Sequence, residues 1–121
     1  MQKQTQKNLI DRLNDLYYLC GEISHLKEDI DRLQNTGDPI WQETIALETA
    51  RLDRCTEEMD ALISIIDAVE DPVLRKVLLL RFVEGLQWPQ VALEMHSKNG
   101  ADAYRQMVYR WARKVEEKDN A

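Results

Sequence analysis

The sequence predicts an all-α protein, with a long antiparallel helical hairpin similar to a coiled coil and then a C-terminal helix-turn-helix unit. Only 4 glycines and 3 prolines occur in 121 residues, which leaves room for long regular elements. Apolar residues recur at spacings of three and four, which is the period of a helix. Turn-forming residues fall in short clusters, and one near residue 70 divides the chain into a hairpin, 1–70, and a second unit, 71–121.

The first predicted helix runs from about Thr5 to Gln34. Its apolar stripe is close to a heptad repeat and skips one slot, which Lys27 occupies. The stripe consists of Leu9, Leu13, Leu16, Cys20, Ile23 and Ile30. We therefore expect one face of this helix to pack against a partner helix along most of its length.

The segment NTGDPI predicts the turn of the hairpin. Gly37 suits the left-handed conformation that ends a helix, and Asp38 suits the N-cap of the next one. Pro39 then occupies the first turn, where its missing N–H does no harm. Because the turn is so short, the two helices should lie antiparallel.

The second predicted helix has a matching stripe that skips a slot at Glu48. In the register that the turn length selects, Cys20 faces Cys55, and Lys27 faces Glu48 as a polar layer in the seam. Registers displaced by a heptad fit the two stripes as well. The second stripe consists of Trp41, Ile45, Leu52, Cys55, Met59, Leu62, Ile66 and Val69.

Four further leucines lie beside the stripes and exceed what one two-helix seam can bury; they are Leu19, Leu26, Leu33 and Leu47. A lone hairpin buries little apolar surface, so this surplus indicates a homodimer in which two hairpins form a four-helix bundle. The rest of the hairpin surface is acidic and indicates no chemistry.

The segment 71–121 predicts three helices with the layout of a helix-turn-helix unit. Asp71 and Pro72 begin the first helix, which runs to about Val83, and Gly85 ends it. The peptide QWPQVALEM forms a short helix with Val91, Ala92 and Met95 inward, and HSKNG forms a turn. The final helix has an inner stripe of Tyr104, Val108, Trp111 and Val115, flanked by Met107 and Ala112.

The outer face of the final helix, with the turn before it, is the predicted DNA-binding site. Arginine suits guanine edges and phosphates, glutamine suits adenine, and tyrosine can reach a phosphate. An ordinary solvated face, with Arg110 and Lys114 paired to acids such as Glu117, remains the alternative. The predicted contacts are Lys98, Arg105, Gln106, Tyr109, Arg110, Arg113 and Lys114.

Charge is divided unevenly along the chain, whose net charge is −6. Residues 1–72 carry 7 basic and 16 acidic side chains, a net −9, whereas residues 73–121 carry 9 basic and 6 acidic, a net +3. A polyanionic partner should therefore meet the C-terminal unit.

The segment from LRKVLLLRFVEGLQWPQVALEM to VYRWARKV, within residues 70–117, resembles the fourth region of bacterial sigma factors, and more closely small phage-encoded sigma-like regulators. The similarity rests on the succession of Leu80, Arg81, Phe82, Gly85, Trp88, Val91 and Ala92. The resemblance implies binding to promoter or phage DNA, with contact to RNA polymerase. Arg81 at such a site is expected to be structural. The peptide MHSKNGAD is longer than the tight family turn, so family base contacts are not transferred position by position.

Other classes of function find little support in the sequence. No nucleophile stands beside a base and no glycine-rich phosphate loop occurs, so we expect no enzyme and no cofactor. Cys20, Cys55 and His25 match no zinc spacing. No apolar run approaches the ~20 residues of a membrane span, and the polar start resembles no secretory signal, which predicts a cytoplasmic protein. The alternatives left are a small terminase-like DNA-packaging protein and a helical interaction module that binds no DNA.

Overall fold

The computed structural model describes residues 7–96, 98 and 100–119. Within these residues the chain forms five α-helices and no strand, which confirms the all-α class. A 3-10 turn, Pro39–Trp41, leads into the second helix, and a π-helical segment, Leu79–Val83, continues the third. The helices are α1 (Leu9–Asn35), α2 (Gln42–Asp67), α3 (Pro72–Leu78), α4 (Trp88–Glu94) and α5 (Ala101–Asp119).

Helices α1 and α2 form the predicted antiparallel hairpin. Two ion pairs cross between them, Arg12 with Glu58 at 2.6 Å and Glu22 with Arg51 at 2.6 Å, so residues later in α1 face residues earlier in α2. The bidentate contact with Glu58 raises the pKa of the Arg12 guanidinium. Asn8 caps α1 by accepting from the Asp11 amide, and the predicted start at Thr5 lies outside the described residues.

The helix ends and helix caps predicted from local sequence are confirmed. Gly37 has φ +67°, and the Asp38 carboxylate accepts from the Ile40 amide at 3.0 Å, so it caps the 3-10 turn that starts α2. Asp71 accepts from the amides of Val73 and Leu74 and begins α3. These features depend on residues adjacent in sequence, which is why sequence patterns identify them.

The predicted Lys27–Glu48 layer is wrong. Lys27 is exposed, and the seam instead buries Leu26, which follows Ile23 by three residues rather than four. A step of three residues from Ile23 places Leu26 in the seam. A step of four would instead bury the ammonium group of Lys27, at a large desolvation cost. Glu48 consequently has a buried Oε2 with no hydrogen-bond partner among the described residues.

The contact made by Cys20 lies one turn from the predicted one. Its Sγ is 3.8 Å from Sδ of Met59, four residues beyond the Cys55 predicted to face it. Both cysteines are free and half-buried. The facing of Cys20 and Cys55 therefore stays a prediction, within a hairpin whose antiparallel direction is clear.

The surplus of leucines on the hairpin is smaller than the sequence indicated. Leu26 and Leu33 are buried in the seam of their own chain, and Leu19 is half-buried. Leu47 is 67% exposed, and Ile40 is 72% exposed at the turn. Exposed apolar side chains on the hairpin thus lie near its turn and also on α1, where Tyr17 is 50% and Tyr18 is 74% exposed.

One hydrophobic core joins the hairpin to the C-terminal unit. Residues at the open end of the hairpin pack with residues of α3, the π-helical segment, α4 and α5. The boundary near residue 70 therefore marks a turn between helices inside a shared core. Its buried members are Leu9, Leu13, Leu16, Leu62, Ile66, Val69, Leu74, Val77, Leu78, Leu80, Phe82, Val91, Tyr104, Val108 and Ala112.

The π-helical segment was not predicted. The Glu84 amide donates to the Leu79 carbonyl at 3.0 Å and the Leu86 amide to the Leu80 carbonyl at 3.1 Å, which widens the last turn. Gly85 ends this segment with φ +75°, as its position predicted. A Cβ on residue 85 would lie 2.7 Å from Cδ1 of Tyr17, so a helix of the hairpin closes directly over this turn.

Candidate nucleic-acid interface

Helix α5 has a buried side and an exposed side. The residues at the centre of its buried side differ in part from those that the sequence predicted. Tyr104, Val108 and Ala112 are buried, at 5%, 0% and 1% exposure. Trp111 and Val115, expected at the centre, are half-buried at its edge. Ala112, which lies between them in sequence, is the buried residue of this last part of the stripe.

The orientation of α5 is fixed by helices on several sides. It packs on α3 and α4, and Val91 of α4 is fully buried in the shared core. At the other end, the Leu9 amide donates to Oε1 of Glu116 at 3.3 Å, which links the start of α1 to the last turns of α5. A rigid scaffold of this kind presents the outer face in one direction.

Arg81 belongs to this scaffold and not to the interface. Its Nη1 donates to the Leu86 carbonyl at 2.9 Å, and its guanidinium lies 5.1 Å from the centre of the Trp88 ring. Trp88 in turn packs edge-on against Phe82, with ring centres 6.4 Å apart. The expectation of a structural arginine is consistent with these contacts, which fix the turn between the π-helical segment and α4.

The segment between α4 and α5 is longer than a tight turn. Helix α4 ends at Glu94 and α5 begins at Ala101. His96 has φ 51°, a left-handed conformation that is uncommon outside glycine, and its amide donates to the Leu93 carbonyl. Lys98 is exposed in this segment. The sequence indicated the length of the turn but not the conformation of His96.

All seven predicted contact residues are exposed, and Tyr109 has 45% of its surface free. They do not form one tight cluster. Arg105 and Lys114 are nine residues apart, about two and a half turns at ~3.6 residues per turn, so they lie on opposite edges of the exposed side. Arg113 and Gln106 lie between these edges. The predicted contact residues on α5 therefore cover about half of the helix circumference.

The hydrogen bonds on this face involve an acidic residue that the sequence reasoning missed. Asp102 forms an ion pair with Arg105 through Oδ1 and accepts from Nε2 of Gln106 through Oδ2 at 2.9 Å. The spacing of three and four residues was the available signal. The alternative pairing of Arg110 or Lys114 with Glu117 is absent from the ion pairs between described residues. Arg110 instead donates weakly to the Gln106 carbonyl at 3.4 Å.

A groove of about 760 Å³ runs along α1, away from α5, between Tyr18, Arg51 and Val83. Among the described residues, no three His, Cys, Asp or Glu side chains are grouped so as to hold a metal ion. None of the described helices combines the length and the apolar character that crossing a membrane requires.

Comparison with known proteins gives no match to a protein-family model, to a curated protein or to a solved structure. The resemblance to sigma-factor regions accordingly stays a prediction from the residues that carry it.

Proposed function

We propose that this protein is a DNA-binding transcription regulator or sigma-like factor, of phage or prophage origin, that contacts duplex DNA with α5. The observation that carries the proposal is the two-sidedness of α5. One side is buried in the shared core through Tyr104, Val108 and Ala112, while the other side is polar and carries the exposed side chains of Arg110 and Arg113. A helix of this kind, preceded by a short helix that packs across it, suits insertion into a major groove.

The distribution of charged side chains also supports contact between DNA and α5. Phosphate groups are bound by cationic side chains that are not already paired with an acid. Arg110, Arg113 and Lys114 form none of the ion pairs found among the described residues. Lys98 extends this basic surface to the turn before α5. The acidic hairpin would repel a duplex, so DNA is directed to the C-terminal unit.

In this proposal the hairpin mediates protein contacts. The apolar side chains exposed near its turn, Ile40 at 72% and Leu47 at 67%, favour a homodimer contact there. Contact with RNA polymerase is proposed from the resemblance to sigma factors alone. The same exposed residues, with Leu93 at 75% on α4, favour a second candidate function, a helical interaction module that binds no DNA.

Fluorescence anisotropy with a labelled mixed-sequence duplex tests the proposal. The variant R110A/R113A/K114A should bind more weakly, and the slope of log affinity against log salt should fall by roughly one for each phosphate contact removed. The matched control is K27A/R32A/R54A, which removes the same charge from exposed residues of the hairpin and should leave binding near that of the wild type. Failure to bind duplex at low salt, or equal losses in both variants, would favour the interaction module.

A further inference from the structure

Asp102 stands in the first turn of α5, and its carboxylate bonds to two of the side chains assigned to the DNA-binding face. We propose that Asp102 is a positioning residue that determines sequence specificity. It holds Arg105 and Gln106 side by side, so that α5 recognises a guanine and an adenine in neighbouring base pairs. This inference rests on the proposed function and names the bases that the site selects.

The geometry assigns one carboxylate oxygen to each partner. Oδ1 bonds to Nη2 of Arg105, and Oδ2 accepts from Nε2 of Gln106 at 2.9 Å. Because both oxygens belong to one carboxylate, the guanidinium and the amide must lie next to each other. Without this link, the two side chains would leave the helix about 100° apart, as consecutive residues do at ~3.6 residues per turn.

Stability alone gives a weak reason for this arrangement. The side chains of Arg105 and Asp102 are 49% and 61% exposed, and ion pairs in that setting stabilise a fold little. Their effect is larger on binding, because a side chain that is already fixed loses less conformational entropy when it meets a ligand. An acid on a face meant for phosphates also weakens contacts of every sequence alike, so any gain in selectivity must come from the side chains that it positions.

The groups left free match two base edges. Arginine carries five N–H groups, so Arg105 keeps donors for the O6 and N7 acceptors of guanine. The Gln106 amide keeps one N–H and its carbonyl, which suit N7 and the N6 amino group of adenine. Neighbouring base pairs are ~3.4 Å apart along the duplex, a separation that suits two head groups joined through one carboxylate.

The experiment selects bound sequences from a randomised duplex library with the full chain and its variants. Wild type should enrich sites in which guanine and adenine occupy adjacent pairs. D102A should retain binding to a mixed-sequence duplex, yet its preference for the enriched site should fall roughly tenfold, the discrimination that one good bidentate contact supplies. E117A removes one exposed negative charge from the same helix and is the matched control, with selectivity unchanged.

D102E separates positioning from the general benefit of an acid near a helix N-terminus. It keeps the charge in the first turn, which favours the helix dipole, but moves the carboxylate by one methylene group. Positioning predicts lost selectivity in D102E with unchanged melting, whereas a purely stabilising role predicts wild-type selectivity. Selection of the same site, with the same preference, by wild type, D102A and D102E would overturn the inference while leaving DNA binding intact.

A loss of all duplex binding by the wild type would overturn the proposed function itself and the inference with it. The carboxylate contacts have a separate readout in the free protein. In NMR spectra without DNA, D102A should shift the side-chain amide signals of Gln106 and the Nε–H signal of Arg105, whereas E117A should not. Unchanged signals in D102A would overturn the positioning role even where duplex binding persists.

Discussion

The ring of Tyr17 lies directly over Gly85, and a Cβ at residue 85 would be 2.7 Å from Cδ1 and 2.8 Å from Cε1 of that ring. Tyr17 belongs to the hairpin and Gly85 to the turn before α4. The contact therefore joins the two parts of the chain at the place where the direction of the short helix is set. Gly85 meets two requirements at once, a left-handed backbone and the absence of a side chain.

G85A should destabilise the protein by about 2 kcal/mol or more, because alanine pays ~1–2 kcal/mol for the left-handed conformation and also meets the tyrosine ring. Urea denaturation followed by circular dichroism measures this loss. In a Y17A background the steric part should disappear, so the cost of G85A should be smaller there than in the wild type. An equal cost in both backgrounds would show that the ring moves aside freely.

R81M should lower the free energy of unfolding by about 1–3 kcal/mol, since methionine keeps the apolar stem but removes the bond to the Leu86 carbonyl and the contact with Trp88. Thermal denaturation gives the measurement. Duplex binding by the folded fraction should be unchanged below the melting transition. A stable R81M variant that binds DNA weakly would place Arg81 on the interface instead.

E48M should stabilise the protein by roughly 1 kcal/mol, because a buried carboxylate oxygen without a partner is replaced by an apolar side chain that suits the seam. K27A should change stability by less than about 0.5 kcal/mol, as expected for an exposed helix position. Chemical denaturation compares the two variants. Destabilisation by both variants, with strong coupling in the double variant, would show that Lys27 and Glu48 do form a polar layer in the seam.

The ion pair of Arg12 with Glu58 should show a coupling energy of about 0.5–1 kcal/mol in a double-mutant cycle, because the pair is bidentate but about a third exposed. The cycle uses R12A, E58A and the double variant, measured by urea denaturation at low salt. Added salt should reduce the coupling by screening. A coupling near zero at low salt would indicate that packing, and not this pair, holds the two helices in place.

Features set by neighbouring residues were predictable from the sequence, and features set by distant ones were not. Gly37, Asp38 and Asp71 act on backbone groups within a few positions, so their roles follow from residue type and order. From Ile23, a step of three residues leads to Leu26 and a step of four leads to Lys27, and both steps keep to one face of a helix. Only packing against α2 decides which of the two residues enters the seam. The approach of Tyr17 to Gly85 spans most of the chain and leaves no local signal.

In the candidate site, too, some features were predictable from the sequence and others were not. The amphipathic pattern of α5 predicted which of its side chains are exposed, and all six predicted contact residues on α5 are; Lys98, in the segment before it, is exposed as well. The pattern did not predict how they are held, although Asp102 precedes Arg105 by three residues and Gln106 by four, a spacing that permits both contacts. The bonds from Asp102 decide which groups of Arg105 and Gln106 remain for a ligand.

The hydrogen bond from the Leu9 amide to Glu116 has a consequence for synthesis on the ribosome. Helices α1 and α2 emerge early and can pair at once, since the turn between them is short. The apolar side chains at their open end, including Leu13 and Ile66, stay uncovered until α3, α4 and α5 have left the exit tunnel. The nascent chain therefore exposes these apolar side chains from the emergence of the hairpin until the later helices cover them, and chaperone contact is expected during that interval.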